Sequence, residues 1–177
     1  NVVLAGSQGA EYLENRSIKS ISYKNIFENT TKVYLPSHGS FESYANRNSL
    51  NYKEKYNLHD AHTIIRGTLR ESGFSEAWDV FVKLGFTSEQ NGRKIISKSL
   101  FDDYLKKIDN TNINKKMKYL DLFNAKFLSF DYDSPFQYLL NVLKDKWTLS
   151  KSDKDMIVMQ HIFKYSINSN QYQLKSS

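Results

Sequence analysis

Residues 41–78 read FESYANRNSLNYKEKYNLHDAHTIIRGTLRESGFSEAW and hold three of the chain's arginines, Arg47, Arg66 and Arg70. A guanidinium group presents a planar fork of donors that binds a carboxylate through two parallel hydrogen bonds. Arginines that converge from two neighbouring segments therefore suit a ligand with several carboxylates. The same stretch also decides the fold, because the spacing of its apolar residues changes from strand-like to helix-like at Ser72-Gly73.

The segment HTIIRGTLR, residues 62–70, is short and rich in β-branched side chains, which predicts a β-strand. Side chains alternate along a strand, so Arg66, Thr68 and Arg70 would share one polar face. Leu69 would point to the opposite face. A ligand often binds where such a strand of a mixed sheet ends.

Gly67 lies within this predicted strand and leaves room for another backbone or a ligand to approach. The structural alternative is that the three arginines are neutralised by nearby acids rather than by a ligand. The acids within reach in the sequence are Glu42, Glu54 and Glu71. The spacing alone leaves both interpretations open.

Two ordered motifs, YANRNSxxYxxxY and TIIRGTLRxxGF, resemble the substrate-binding region of saccharopine dehydrogenase, an oxidoreductase of lysine metabolism. The later run KWTLSKSDKDMIVMQHIFKY resembles the closing segment of the same family, so the resemblance spans nearly the whole chain. The matching positions contact saccharopine in that family. The resemblance thus implies four substrate-binding residues: Arg47, Thr68, Arg70 and, through its backbone, Leu69. Arg66, on the predicted arginine face, and Asn46, in the first motif, are further candidates.

The resemblance also implies a larger enzyme of which residues 1–177 form the C-terminal substrate-binding and dimerisation region. The enzyme would use NAD or NADP, bound by a dinucleotide-binding domain missing from this chain, and would act as a homodimer. This fragment alone would bind no cofactor and would be inactive. The family's first motif has Pro and Asp where this chain has Ala45 and Asn48. A related reductase acting on another carboxylated imine, such as carboxynorspermidine, is therefore an alternative.

The composition predicts one globular domain over residues 1–177, with 40% hydrophobic and 25% charged residues. The formal net charge of +6 is spread along the chain, which argues against a nucleic-acid-binding module. Cysteine is absent, so disulfides and thiolate chemistry are excluded. The sequence shows neither a spanning apolar run nor a signal segment, and we expect no membrane partner and a cytoplasmic protein.

The predicted fold class is α+β: a mixed, largely antiparallel sheet with helices packed on it and a helical insertion from about 74 to 147. Residues 2–14 are predicted to form a short helix, and residues 155–167 a central strand that turns at 168–170 into a second strand. The apolar spacing after Phe74 predicts an amphipathic helix whose aromatic stripe belongs to the core.

We assign no catalytic residue and no metal site from the sequence. His59 and His62 lie three apart beside Asp60, but no third convincing ligand is near. Gly6 and Gly9 do not have the spacing of a dinucleotide-binding fingerprint. A second interpretation, from another class of function, is a non-catalytic dimerisation or interaction domain in which the arginines are structural.

Overall fold

The α+β class predicted from the sequence is confirmed by a computed structural model, which describes Val3 and residues 8–36 and 38–176. Eight strands and six α-helices occur in these residues. The strands are β1 Ala10–Glu14, β2 Ser17–Ile21, β3 Thr30–Leu35, β4 Gly39–Ala45, β5 Arg47–Asn48, β6 Gly67–Glu71, β7 His161–Ile167 and β8 Asn170–Ser176. The helices are α1 Asn51–Lys55, α2 Phe74–Lys83, α3 Lys98–Lys106, α4 Thr111–Leu120, α5 Ala125–Leu128 and α6 Pro135–Trp147.

The strands form three small sheets rather than one large sheet. Their orders are β2-β1-β5, β3-β4-β6 and β7-β8. The pair β1–β5 is parallel, and the other named pairs are antiparallel, so the mixed and largely antiparallel character is as predicted. The chain passes from the second sheet to the first between β4 and β5, one residue before Arg47.

Three strand or helix assignments made from the sequence need correction. The helix predicted over residues 2–14 is wrong for Ala10–Glu14, which forms β1 because its backbone pairs with β2; Val2 and residues 4–7 lie outside the described part. The strand predicted over residues 62–70 begins only at Gly67. The preceding residues leave the β4 ladder, because the carbonyl of His62 accepts a hydrogen bond from the Arg16 amide and Ile64 bridges to Leu13.

The third correction concerns the C-terminal strand, predicted to be central and buried over residues 155–167. The strand β7 covers only its second half, pairs with β8 alone, and is exposed along its whole length. Continuous apolar sequence indicated burial on both faces, but the hairpin has no third strand among the described residues. The predicted turn at 168–170 is confirmed.

The helices α2 to α6 all lie between Phe74 and Trp147, as the predicted helical insertion requires. Their starts follow local capping rules. Gly73 begins α2 in the left-handed conformation with φ of 84°, and the Ser134 hydroxyl accepts a hydrogen bond from the Gln137 amide at the start of α6, with Pro135 at the first helical position.

The core lies where the second sheet meets these helices. Trp78 and Phe81 of α2 are almost fully buried and pack with residues from α4, α6 and the β4 strand, so the predicted core role of the aromatic stripe is confirmed. Burial of large apolar side chains stabilises by roughly 1.5–3 kcal/mol each. The core thereby fixes α2 directly behind β6, the strand that carries Arg70.

Candidate functional site

Arg47 lies at the crossover between two sheets. It is the first residue of β5, opposite Ala10 in the parallel pair with β1, and its side chain is exposed. Its backbone has φ of 57°, in the left-handed region that non-glycine residues seldom adopt. Such conformations cluster at ligand-binding positions, where the surrounding structure holds them.

Hydrogen bonds tie the Arg47 segment to the segment that leads into β6. The Asn46 amide donates to the Arg66 carbonyl at 2.9 Å, and the Asn46 side-chain amide donates to the Thr68 hydroxyl at 2.7 Å. The Arg66 amide in turn donates to the hydroxyl of the fully buried Ser49 at 3.0 Å. The structure therefore brings the two sequence motifs side by side.

The predicted alternation along β6 holds for the residues inside the strand. Thr68 lies opposite Tyr44 and Arg70 opposite Glu42, so these four side chains share one face of the second sheet. Leu69 is on the other face, and together with residues 158–160 and Ile162 it lines a cleft of about 700 Å³. Arg66 precedes the strand, so its place on the arginine face does not follow from alternation.

Gly67 allows another chain segment to approach closely. The sequence predicted that this glycine leaves room either for another backbone or for a ligand. A Cβ at this position would lie 2.5 Å from the Ser43 hydroxyl oxygen and 3.4 Å from the Tyr44 carbonyl oxygen. The glycine lets β6 pair closely with β4.

Arg47, Arg66 and Arg70 form no ion pair with a carboxylate in the part of the chain that the structure describes. The acids proposed as structural partners are engaged elsewhere or point away. Glu42 accepts a hydrogen bond from the Ser75 amide at 2.5 Å, and Glu54 lies 3.5 Å from His59. The guanidinium groups are thus available to an anionic ligand.

Arg70 also has a partner that the sequence did not reveal. Its guanidinium carbon lies 5.0 Å from the centroid of the Phe74 ring, within cation–π range. The spacing of four residues across the strand-to-helix turn was visible in the sequence. The geometry of that turn, which brings the ring beneath the guanidinium group, was not.

The candidate metal cluster does not form. The His62 ring nitrogen Nε2 lies 2.5 Å from an Arg16 guanidinium nitrogen, and His59 faces Glu54. No group of three or more potential metal ligands occurs within the residues described. None of the described helices combines the length and apolar character needed to cross a lipid bilayer.

The two largest pKa shifts belong to groups on helices α2 and α6. Hydrogen bonds to Asp79 and Glu28 raise the pKa of Lys83 above its usual range, and burial raises the pKa of the Tyr138 phenol to about 12. Both groups have structural partners, since Lys83 links α2 to the segment after β2, and the Tyr138 hydroxyl donates to the Leu122 carbonyl.

The sequence lacks the glycine fingerprint of a dinucleotide-binding fold. No two of the seven glycines stand two positions apart, so the pattern G-x-G-x-x-G is absent. Gly9 packs against the β2 end of the first hairpin, where a Cβ would lie 2.4 Å from the Ile21 carbonyl oxygen. This glycine serves strand packing.

Comparisons with known proteins point to one family. The family described as "Saccharopine dehydrogenase C-terminal domain" matches residues 1–177. A Schizosaccharomyces pombe protein named saccharopine dehydrogenase [NADP(+), L-glutamate-forming] is 27% identical over 99% of this chain and 45% of its own length. Mouse mitochondrial alpha-aminoadipic semialdehyde synthase is 40% identical over 47% of this chain and 9% of its own length.

Among solved structures, the apo histidine-tagged saccharopine dehydrogenase (L-Glu forming) from Saccharomyces cerevisiae superposes with a TM-score of 0.76. The two are 22% identical, and the match covers 98% of this chain and 45% of the yeast chain. At that identity the likeness concerns the fold. The chain spans about 45% of the length of the S. pombe relative and of the yeast structure.

Proposed function

The chain belongs to the saccharopine dehydrogenase C-terminal domain family, and on that basis we propose that it is the substrate-binding and dimerisation part of an oxidoreductase of lysine metabolism. The complete enzyme would oxidise saccharopine with NAD or NADP. Saccharopine carries several carboxylates, and one observation supports this chain as their anchor: the guanidinium groups of Arg47, Arg66 and Arg70 lie on hydrogen-bonded neighbouring segments without a carboxylate partner among the described residues.

In this proposal Arg47 and Arg70 each bind a substrate carboxylate in the bidentate manner of guanidinium groups. Thr68 supplies a hydroxyl that the Asn46 side chain orients, and Leu69 contributes through its backbone, because its side chain points to the opposite face. Arg66 adds positive charge at the rim of the site. The catalytic step itself is assigned to no residue of this chain.

The test measures steady-state kinetics of the full-length enzyme with Arg47→Ala and Arg70→Ala. A charged hydrogen-bonded pair contributes about 1.5–3 kcal/mol, so each change should raise KM for saccharopine by about 10- to 100-fold. The KM for the nicotinamide cofactor should stay unchanged. Arg93→Ala serves as a control, because this exposed arginine belongs to the loop between α2 and α3. Equal effects of all three changes would contradict the assignment.

The cofactor would bind to the part of the enzyme that this chain does not cover. Hydride transfer requires the nicotinamide to be held against the substrate carbon, and the dinucleotide-binding pattern G-x-G-x-x-G is absent from these 177 residues. We therefore expect residues 1–177 alone to give no saccharopine-dependent reduction of NAD or NADP. Activity of the isolated chain would refute this division of roles.

The alternative to saccharopine is another carboxylated amine, such as the substrate of a carboxynorspermidine dehydrogenase. In this chain Asn48 stands where the first motif of the saccharopine dehydrogenase family has Asp. The Asn48 side chain donates a hydrogen bond to Glu11 at 3.2 Å and accepts one from the Leu50 amide at 2.7 Å. Asn48 therefore braces the loop after Arg47 rather than pairing with its charge. Comparing kcat/KM for the two substrate classes in the full-length enzyme decides between them.

Dimerisation has its own supporting observation in the β7–β8 hairpin. The register places Phe163 opposite Leu174 and Tyr165 opposite Tyr172, so these four apolar side chains share one face of the hairpin. Phe163 is 51% and Leu174 56% exposed. Exposed apolar faces of this kind mark interaction sites. The commonest oligomer is a homodimer in which the same face of two copies meets about a twofold axis.

We expect the hairpin face to pair with the same face of a second copy of the chain. Phe163→Asp should convert the dimer to a monomer in light scattering after gel filtration. Gln173→Asp is the matched control, because Gln173 pairs with Lys164 on the polar face of the same hairpin. A monomeric wild-type protein, or a dimer that persists in Phe163→Asp, would contradict this interface.

A further inference from the structure

The guanidinium group of Arg70 rests on an aromatic ring rather than on a hydrogen-bond partner. Its carbon Cζ lies 5.0 Å from the centroid of the Phe74 ring. The Nε atom of Arg70 is buried and has no hydrogen-bond partner. A buried donor without a partner carries a cost of desolvation, so the favourable contact of this group on the protein side is the face of the ring.

The Phe74 ring is itself held in place by aromatic neighbours. Trp78 stacks on it with centroids 4.6 Å apart and planes 13° apart, and Tyr44 lies nearly parallel to it at 6.4 Å. Phe27 meets it edge-on at 6.1 Å. Trp78 and Tyr44 belong to the buried core, so the ring cannot turn without disturbing the packing of α2 on the sheet.

The carboxylates closest to Arg70 in the sheet do not compete for it. Glu42 is its cross-strand neighbour but accepts a hydrogen bond from the Ser75 amide at the start of α2. Glu71 is the next residue along the strand and points to the opposite face. The terminal nitrogens of Arg70 are therefore free to bind a ligand while the guanidinium carbon lies over the Phe74 ring.

We propose that Phe74 is a positioning residue that aims the Arg70 guanidinium at the substrate carboxylate. This inference rests on the proposed substrate-binding function and adds to it the residue that sets the orientation of the anchor. Strand β6 fixes the Cα of Arg70, and the ring at the first position of α2 fixes the far end of its side chain. Only Ser72 and Gly73 connect β6 to α2, so both constraints act on the Arg70 side chain.

The first experiment measures the Kd for saccharopine of the full-length enzyme by calorimetry. Phe74→Leu removes the ring face and should weaken binding about tenfold, equal to about 1.4 kcal/mol. Phe74→Tyr keeps the ring and should bind within about twofold of the wild type. Phe81→Leu is the control, because Phe81 is buried in the same helix and packs on Trp78. Equal weakening by Phe81→Leu would overturn the proposal.

A double-mutant cycle with Arg70 separates positioning from direct substrate contact. In the Arg70→Ala background, Phe74→Leu should cause no further loss of affinity, because the ring acts only through the arginine. A further tenfold loss in that background would show that Phe74 contacts the substrate itself or supports the site in general, and would overturn the positioning role.

A second readout does not depend on the substrate. The NMR resonance of the Arg70 Nε–H group can be assigned by its disappearance in Arg70→Lys. The ring current of Phe74 should shift this resonance upfield. The shift should be lost in Phe74→Leu and kept in Phe74→Tyr. If Arg70→Ala leaves the Kd for saccharopine unchanged, the proposal that Arg70 binds the substrate is wrong. The resonance would still report whether the ring holds the guanidinium group. An unshifted resonance in the wild type would overturn the inference.

Discussion

The contact between Glu42 and the start of α2 joins the second sheet to the helical part, and its removal gives a prediction with a defined size. Helix α2 begins at Gly73, which has no side chain to cap the first free amides. The carboxylate of Glu42 on β4 takes this role by accepting a hydrogen bond from the Ser75 amide at 2.5 Å. Its negative charge also lies at the positive end of the helix dipole.

The variant Glu42→Ala leaves the Ser75 amide without its acceptor at a residue that is only 2% exposed. A hydrogen bond to a charged group contributes about 1.5–3 kcal/mol, and loss of a helix cap costs about 0.5–2 kcal/mol. We expect the free energy of unfolding to fall by about 2 kcal/mol. Glu42→Gln keeps an acceptor and loses only the charge, so about 1 kcal/mol is expected for it.

Urea unfolding followed by tryptophan fluorescence measures this difference. With a slope of about 2 kcal/mol/M, the midpoint for Glu42→Ala should lie about 1 M below that of the wild type. Trp78 is a suitable reporter because it belongs to α2 and is buried in the core. A midpoint within about 0.2 M of the wild type, a fifth of the expected shift of about 1 M, would refute the capping role.

The same variant distinguishes capping from charge pairing. If Glu42 instead neutralised its cross-strand neighbour Arg70, its removal would free the guanidinium group and strengthen the binding of a carboxylate ligand. The capping geometry predicts lower stability with an unchanged Kd for saccharopine at temperatures where the variant is folded. Tighter binding in Glu42→Ala would therefore contradict the arrangement described here.

Two further predictions concern stability. Gly9→Ala places a Cβ about 2.4 Å from the Ile21 carbonyl oxygen, a backbone atom that cannot turn aside, so we expect a loss of about 1–3 kcal/mol in urea unfolding; an unchanged midpoint would refute the packing role of this glycine. Tyr138 has a pKa of about 12 because of burial, against about 10 in the unfolded chain. Its raised folded-state pKa contributes stability that is complete below pH 10 and is lost as the pH rises from 10 to 12, by about 2–3 kcal/mol. Tyr138→Phe should flatten that part of the pH profile, and a profile identical to that of the wild type would contradict the assignment.

Several elements were predictable because their causes are local. Ser134-Pro135 starts α6 through a cap and a fixed φ, and Gly85 follows α2 with φ of 78°, a conformation that favours glycine at a helix end. The alternation of Thr68 and Arg70 on one face follows from strand geometry alone. The resemblance of two motifs to a known family indicated the candidate ligand-binding residues, and their role in binding stays a prediction. The single-domain organisation and the cytoplasmic location also stay predictions.

Other features depended on contacts between distant residues. The segment before Gly67 has the residue types of a strand, yet it is drawn to the first hairpin by Leu13 and Arg16, some 46 or more positions away in sequence. The apolar pattern of β7 indicated a buried central strand. Apolar character favours removal from water but does not specify which surface covers the strand, and within the described residues only β8 pairs with it.

By itself, the sequence determined the fold class, the helical stretch from about 74 to 147 and the identity of the candidate arginines, because periodicity, capping and side-chain chemistry act over short distances. Only the tertiary structure decided that Asn46 and Arg66 are hydrogen bonded, that Glu42 caps a helix instead of pairing with Arg70, and that Phe74 lies beneath that guanidinium group. These relations arise from the packing of α2 against the sheet, where the choice of partner depends on three-dimensional distance.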